Sequence, residues 1–174
     1  MSRIVGAALA VLFMLASSIT SSFLWATYGQ VVGCQILLTL LIASVGEHIV
    51  SGQGYYYYTR KNGIFVGLVP VWIPFMWVFA VQISMITALA GGLTGFMAAV
   101  GAGIVGMLAD LTFVEPLMCR MRRLWVWKSV ERGYFSFIPR ELNRFTAPPG
   151  NYIVWFLFPF LMNLFLVLIS GLMA

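Results

Sequence analysis

Carboxylates are the side chains best placed to do chemistry here, and they are scarce. Five Asp and Glu residues occur in 174. Three of them, Glu47, Asp110 and Glu115, sit where long apolar runs end. An acid at the edge of a hydrocarbon layer is costly to keep, which makes each a functional candidate. Glu47 is followed by His48, the single histidine of the chain. Asp110 and Glu115 lie in ADLTFVEPLMCRMRR, between a Gly-rich apolar run and a basic segment. Paired carboxyl groups can divide acid and base work between them, and a histidine can serve as a further base. Tyr and Trp faces beside them can stabilise a developing carbocation. Such a set suits proton-initiated addition to a C=C bond of a lipid-soluble molecule.

The elements that carry these residues are membrane helices. Hydrophobic residues make up 61% of the chain and charged residues 9%, against about 25% charged in soluble proteins. The apolar runs reach the roughly 20 residues that cross a core of about 30 Å. Lipid admits only helices or closed barrels, and the runs are continuous rather than alternating, which excludes a barrel. The expected fold is all-α: a polytopic transmembrane bundle forming one membrane domain over residues 1–174. Five spans are expected, at 4–28, 30–50, 64–86, 89–110 and 151–172. The first resembles a secretory signal at its start, but its apolar character runs on through Trp25 and Ala26, as a retained span would.

Five spans place all 10 Lys and Arg residues on one side of the membrane. By the positive-inside rule that side is cytoplasmic, with the N-terminus inside and the C-terminus outside a cell membrane. The net charge of +5 therefore reads as topology and contact with anionic lipid, not as a nucleic-acid surface. Cys34 and Cys119 form no CxxC motif and read as packing residues. No metal and no cofactor is expected.

The loop of about 111–150 predicts an interfacial amphipathic helix over Leu117–Val130, bent at Pro116, with Trp125 and Trp127 at headgroup level. Pro70 and Pro74 predict a kink in the third span. Gly91, Gly95, Gly103 and Gly106 belong to small-xxx-small pairs that favour close helix packing, or else a thin wall beside a cavity.

Topology brings the candidates to one border. Spans two and four both end there, at Glu47-His48 and at Asp110, while Tyr55–Tyr58 begins and Asn151 opens the fifth span on the same side. Ser44, Glu47, His48 and Ser51 share one helical face. Asp110 and Glu115 are about 140° apart on a regular helix and meet in one site only if the helix breaks, for which Pro116 provides a reason. The plainer alternatives are that each acid pairs with Arg60, Arg120, Arg122 or Arg123, that His48 bonds a carbonyl, and that the tyrosines form an aromatic belt.

The order Glu47, Gly54-Tyr55-x-Tyr57-Tyr58-Thr59, Val69-Pro70, Ile73-Pro74, Trp77, Asp110, Glu115-Pro116, Trp125-x-Trp127, Gly133-Tyr134-Phe135, Pro139 and Asn143 resembles the carotenoid-biosynthesis membrane family over roughly residues 47–163. That family includes the CruF-like hydratases, which add water to terminal double bonds of acyclic carotenoids. The chain is shorter than the family pattern and has Glu115-Pro116 where Asp-Pro is usual. The resemblance implies site positions at Glu47, Tyr58, Asp110 and Glu115, supported by Trp127, Tyr134 and Asn143. With the residue reading, the candidate catalytic set is Asp110, Glu115, Glu47 and His48, and the candidate substrate contacts are Tyr55, Tyr58, Trp77, Trp127, Tyr134 and Asn143.

Three function classes follow. The first is a hydratase or cyclase (lyase class) of an isoprenoid, with Glu115 or Asp110 as acid and Glu47 with His48 holding water or acting as base. The second is a non-catalytic membrane subunit or assembly partner. The third, a small transporter, lacks charged residues in the outer halves of its first two spans. Expected partners are membrane lipid, an apolar isoprenoid, and a second copy or a larger membrane complex.

Overall fold

A computed structural model of the protein describes residues 2–128 and 147–173. Among these residues, five helices are long and apolar enough to cross a membrane. They are α1 (Ser2–Tyr28), α2 (Val31–Gly52), α3 (Trp72–Ala90), α4 (Gly95–Ala109), which runs on as a π-helix over Asp110–Met121, and α5 (Pro149–Met173). The all-α bundle expected from the sequence is the fold. The central helix is α3, which touches the other four. Half of its apolar window is buried, against about a third or less in the rest, so α3 is the post and the others present one side to lipid.

Close packing on that post depends on small residues. A side chain at Gly106 would meet the Trp155 carbonyl oxygen at 2.7 Å and Pro159 Cγ at 2.8 Å, and one at Gly103 would meet Phe156 at 2.9 Å. These two glycines let α4 lie against α5. Gly91 and Gly92 instead form the turn before α4, where Gly92 takes φ 82°.

Three expectations need correction. The third span starts at Trp72, not residue 64, because Phe65–Val66 (β2) and Val69–Pro70 (β3) form a hairpin that turns at Gly67, φ 61°. Pro70 therefore precedes the helix and Pro74 falls in its first turn, where proline is tolerated, so no kink arises from this pair. Nor do residues 117–128 form an interfacial helix. The π-helix ends at Met121, Arg123 turns the chain with φ 53°, and Trp125–Trp127 is a strand, β4. Strand pairing decides this: Tyr56–Tyr58 (β1) offers an antiparallel partner, in the register Tyr56↔Trp127, Tyr57↔Val126 and Tyr58↔Trp125.

Arg60, Lys61, Arg120, Arg122, Arg123 and Lys128 lie at the end of the bundle that carries this ribbon, while the turns at Gly29-Gln30 and Gly91–Thr94 hold no charge. The start of α1 docks there too, with Gly6 packed directly on the Asn62 carbonyl.

The α4–α5 contact yields a test. Gly106→Ala should lower stability by about 1–3 kcal/mol through overpacking, read as thermal unfolding in detergent. Gly171→Ala, whose added methyl meets nothing within 4 Å, should change it little.

Candidate active site

Three acids meet at the ribbon end. Glu47 comes from the last turns of α2 and is half-buried. Its Oε2 accepts the hydroxyls of Tyr58, at 2.7 Å, and of Tyr56, and its Oε1 accepts Trp77 Nε1 at 2.7 Å. Glu115 is 2% exposed. Its Oε1 accepts Trp125 Nε1 at 3.0 Å, and both its oxygens accept Trp127 Nε1 at 3.2 Å. Asp110 is fully buried, and its Oδ2 accepts Asn151 Nδ2 at 2.6 Å. Its Oδ1 has no partner among the described residues.

The ribbon supplies four of these donors because side chains alternate along a strand. Tyr56 and Tyr58 face the acids, and Tyr57 between them is 57% exposed. Across the ribbon Trp125 and Trp127 lie on that same face, their rings edge-on to Tyr58 and Tyr56. The tyrosine run is thus half belt and half cage.

Asp110 and Glu115 share a face without a helix break. In a π-helix each N–H bonds five residues back, so residues five apart stack one turn above another. Asp110 opens the π segment and Glu115 lies five residues on.

Glu47 and Glu115 both line a cavity of about 30 Å³, with Tyr56, Tyr58, Trp77, Trp127 and Asn151 among its walls. A water needs roughly 10–15 Å³ of such space, so one or two waters fit. A second, larger pocket of about 1060 Å³ lies between α2 and α5. Its walls are mostly apolar, and Glu47, Tyr56, Trp77, Trp127 and Asn151 belong to both. Glu47 alone of the three acids touches the two spaces.

The remaining sequence candidates fall out as follows. His48 is exposed and its ring lies against Gly67, with Nδ1 3.5 Å from the Leu68 amide, so it is not part of the acid cluster. Tyr55 is 58% exposed and lines the large pocket. Asp110 lines neither pocket; it holds Asn151, which lines both. Among the described residues no Lys or Arg bonds Glu47 or Asp110. Tyr134 and Asn143 lie outside the described residues. Cys119 is buried beside the ribbon and Cys34 is exposed, both as free thiols. No metal-binding group of His, Cys, Asp or Glu occurs among the described residues. The sequence candidates omitted Tyr56, Trp125 and Asn151; the period-two spacing of Tyr56 with Tyr58, and of Trp125 with Trp127, is the signal that marks the first two.

The family model of carotenoid biosynthesis proteins matches residues 3–171, nearly the whole chain. The chain belongs to the carotenoid biosynthesis protein family. No curated protein and no solved structure matches it significantly.

The two cage tyrosines keep their protons. Burial first, and the charge of Glu47 second, push both phenols above the ordinary tyrosine range. A folded state that retains protons which the unfolded chain gives up loses stability as pH rises. Stability should therefore hold below about pH 10, the ordinary tyrosine value, and decline above it. Tyr58→Phe should cost about 1–3 kcal/mol at neutral pH by removing a donor to Glu47 and should flatten the alkaline decline. Unfolding in detergent across an alkaline pH series reads both.

Proposed function

We propose that this carotenoid biosynthesis family member adds water to a C=C bond of an acyclic isoprenoid at the Glu47–Glu115 pair. The observation that carries the reading is that Glu47 faces both a water-sized cavity and a large apolar pocket. Hydration needs one reactant from each. Cyclisation needs no water, so the small cavity favours hydration.

The hydrogen-bond partners divide the roles. Trp77 N–H can only donate, so it keeps Oε1 of Glu47 an acceptor. A proton on Glu47 then rides on Oε2, where two hydroxyls can rotate from donor to acceptor. Glu47 can gain and lose a proton without losing its partners. The indole donors on Glu115 cannot reverse, which suits a group that works as a carboxylate. This division is the opposite of the one read from the sequence, which made Glu115 or Asp110 the acid.

In the proposed step Glu47 gives its proton to the CH carbon of the terminal (CH3)2C=CH group, and a C–H bond forms from the π pair. The positive charge develops on the neighbouring carbon, beside the faces of Trp77, Trp127 and Tyr56. The cavity water attacks that carbon, forming C–O, and its proton passes to Glu115. The proton returns to Glu47 through the shared cavity, so alkene plus water gives alcohol with both acids restored. Asp110 is a positioning residue that fixes the amide of Asn151. By the positive-inside rule this site faces the cytoplasm.

Coexpression with an acyclic carotenoid pathway tests the reading. A hydroxylated product is expected from the wild-type chain, and Glu47→Gln or Glu115→Gln should lower its formation by about 10²–10⁴-fold, the usual weight of a general acid or base. Absence of hydrated product with every acyclic precursor sinks the hydratase assignment.

A further inference from the structure

The large pocket is a groove in the lipid-facing side of the bundle. At the outer end α2 and α5 are clasped: Gln35 Nε2 donates to Asn163 Oδ1 at 2.9 Å and to the Met162 carbonyl at 3.2 Å. Toward the ribbon end they part. The groove follows α2 from Ile42 to Gln53, a length of roughly 16 Å at 1.5 Å per residue, or about half the hydrocarbon core. Its α5 wall includes Val154, Leu157 and Leu161, which are 51%, 42% and 48% exposed. In a membrane these side chains meet acyl chains, so the groove opens sideways into lipid. At its inner end stand Trp77, Tyr56 and Trp127, with Glu47 between groove and cavity.

Two helical glycines in this groove face open space: Gly150 sits in the first turn of α5, and Gly46 lies in a helix interior. Gly46 lies on α2 within the lining, and a Cβ placed there meets nothing within 4 Å. Gly103 and Gly106 are small because a neighbour presses on them; Gly46 has no such neighbour. Glycine inside a helix costs up to about 1 kcal/mol relative to alanine, and no packing contact at Gly46 offsets that. The space its missing side chain leaves belongs to the groove.

We infer that the α2–α5 groove is the binding site for a linear, unsaturated hydrocarbon chain, admitted sideways from the bilayer, and that Gly46 is a specificity-determining position holding it open. The inference rests on the hydration reading for the identity of the chain but not for the existence of the site. A chain lying in the groove brings its end to Glu47, because groove and acid cavity share a wall. The aromatic inner end suits a flat polyene better than a saturated acyl chain. A phospholipid tail is the alternative occupant, and the test separates the two.

The full chain is placed in phosphatidylcholine nanodiscs and titrated with an acyclic C40 polyene, with tryptophan quenching as readout, since Trp77 and Trp127 line the groove. Saturable quenching is expected. Gly46→Phe should weaken it by at least about ten-fold, a modest demand for a blocked apolar pocket, while Gly46→Ala stays close to wild type. Neither variant should unfold below wild type, because the position faces open space, and Gly46→Ala should unfold slightly higher. Quenching that does not saturate, as when only phospholipid tails enter the groove, overturns the proposal. Saturable quenching that Gly46→Phe leaves unchanged overturns it as well. Gly171→Ala, which lies outside the groove, should bind the polyene like wild type. Binding that obeys this pattern with no hydrated product would leave the groove standing and remove only the hydratase reading.

Discussion

A carboxylate inside a lipid-embedded bundle must be met by donors that the protein itself supplies. Leaving a charged acceptor unpaired there costs about 1–3 kcal/mol or more. Most donors to Glu47 and Glu115 come from one short antiparallel ribbon, Tyr56–Tyr58 against Trp125–Trp127. The ribbon is made of two inter-span segments. The acids are carried by the spans themselves. Neither set is in place without the other: a slip of one residue in the register would turn Tyr56 and Tyr58 outward and send Tyr57 to the acids. The link between α2 and α3 and the start of the long loop therefore act as parts of the site.

The widened helix after Asp110 serves the same requirement. An α-helix would set Asp110 and Glu115 about 140° apart, and one of them would face lipid or an unrelated wall. Bonding five residues back puts both on the ribbon side, and the wide turn carries Pro116 within it. Gly106 and Gly103, one and two turns earlier, hold α4 hard against α5. That contact delivers Asn151, at the start of α5, to Asp110. Rigid packing in the middle of the bundle thus sets the aim of polar groups at its end.

The spans were legible in the sequence because an unbroken apolar run has one solution in lipid, and the basic residues confirm their number independently. What failed were the short elements. Residues 64–71 are apolar enough to join the third span, but Gly67 with its positive φ folds them into a hairpin. The apolar and basic mixture at 117–128 suits an interfacial helix as well as it suits anything, and only the partner strand Tyr56–Tyr58, far away in sequence, decides for β4. The acids were legible through their cost. Their roles were not, because a role depends on which wall each faces: Asp110 turns to Asn151 rather than to a pocket, and His48, next to Glu47 in sequence, turns to Gly67. The π geometry left no composition signal, so the shared face of Asp110 and Glu115 was out of reach.

The two spaces that meet at Glu47 address the central difficulty of the proposed chemistry. Water is nearly absent where a linear hydrocarbon dissolves, and a carbocation formed in open water would have no selective fate. A cavity of about 30 Å³ holds one or two waters and no hydrocarbon of any length. A groove of about 1060 Å³ with apolar walls holds the chain and gives free water little to bond. Dividing the reactants this way makes the side chains between them decide what meets what. Of the five residues that line both spaces, Tyr56, Trp77 and Trp127 offer aromatic faces, Asn151 is held by Asp110, and Glu47 alone carries a carboxyl group. On that geometry the proposed reaction would be confined to the one point where acid, water and chain end come within reach together.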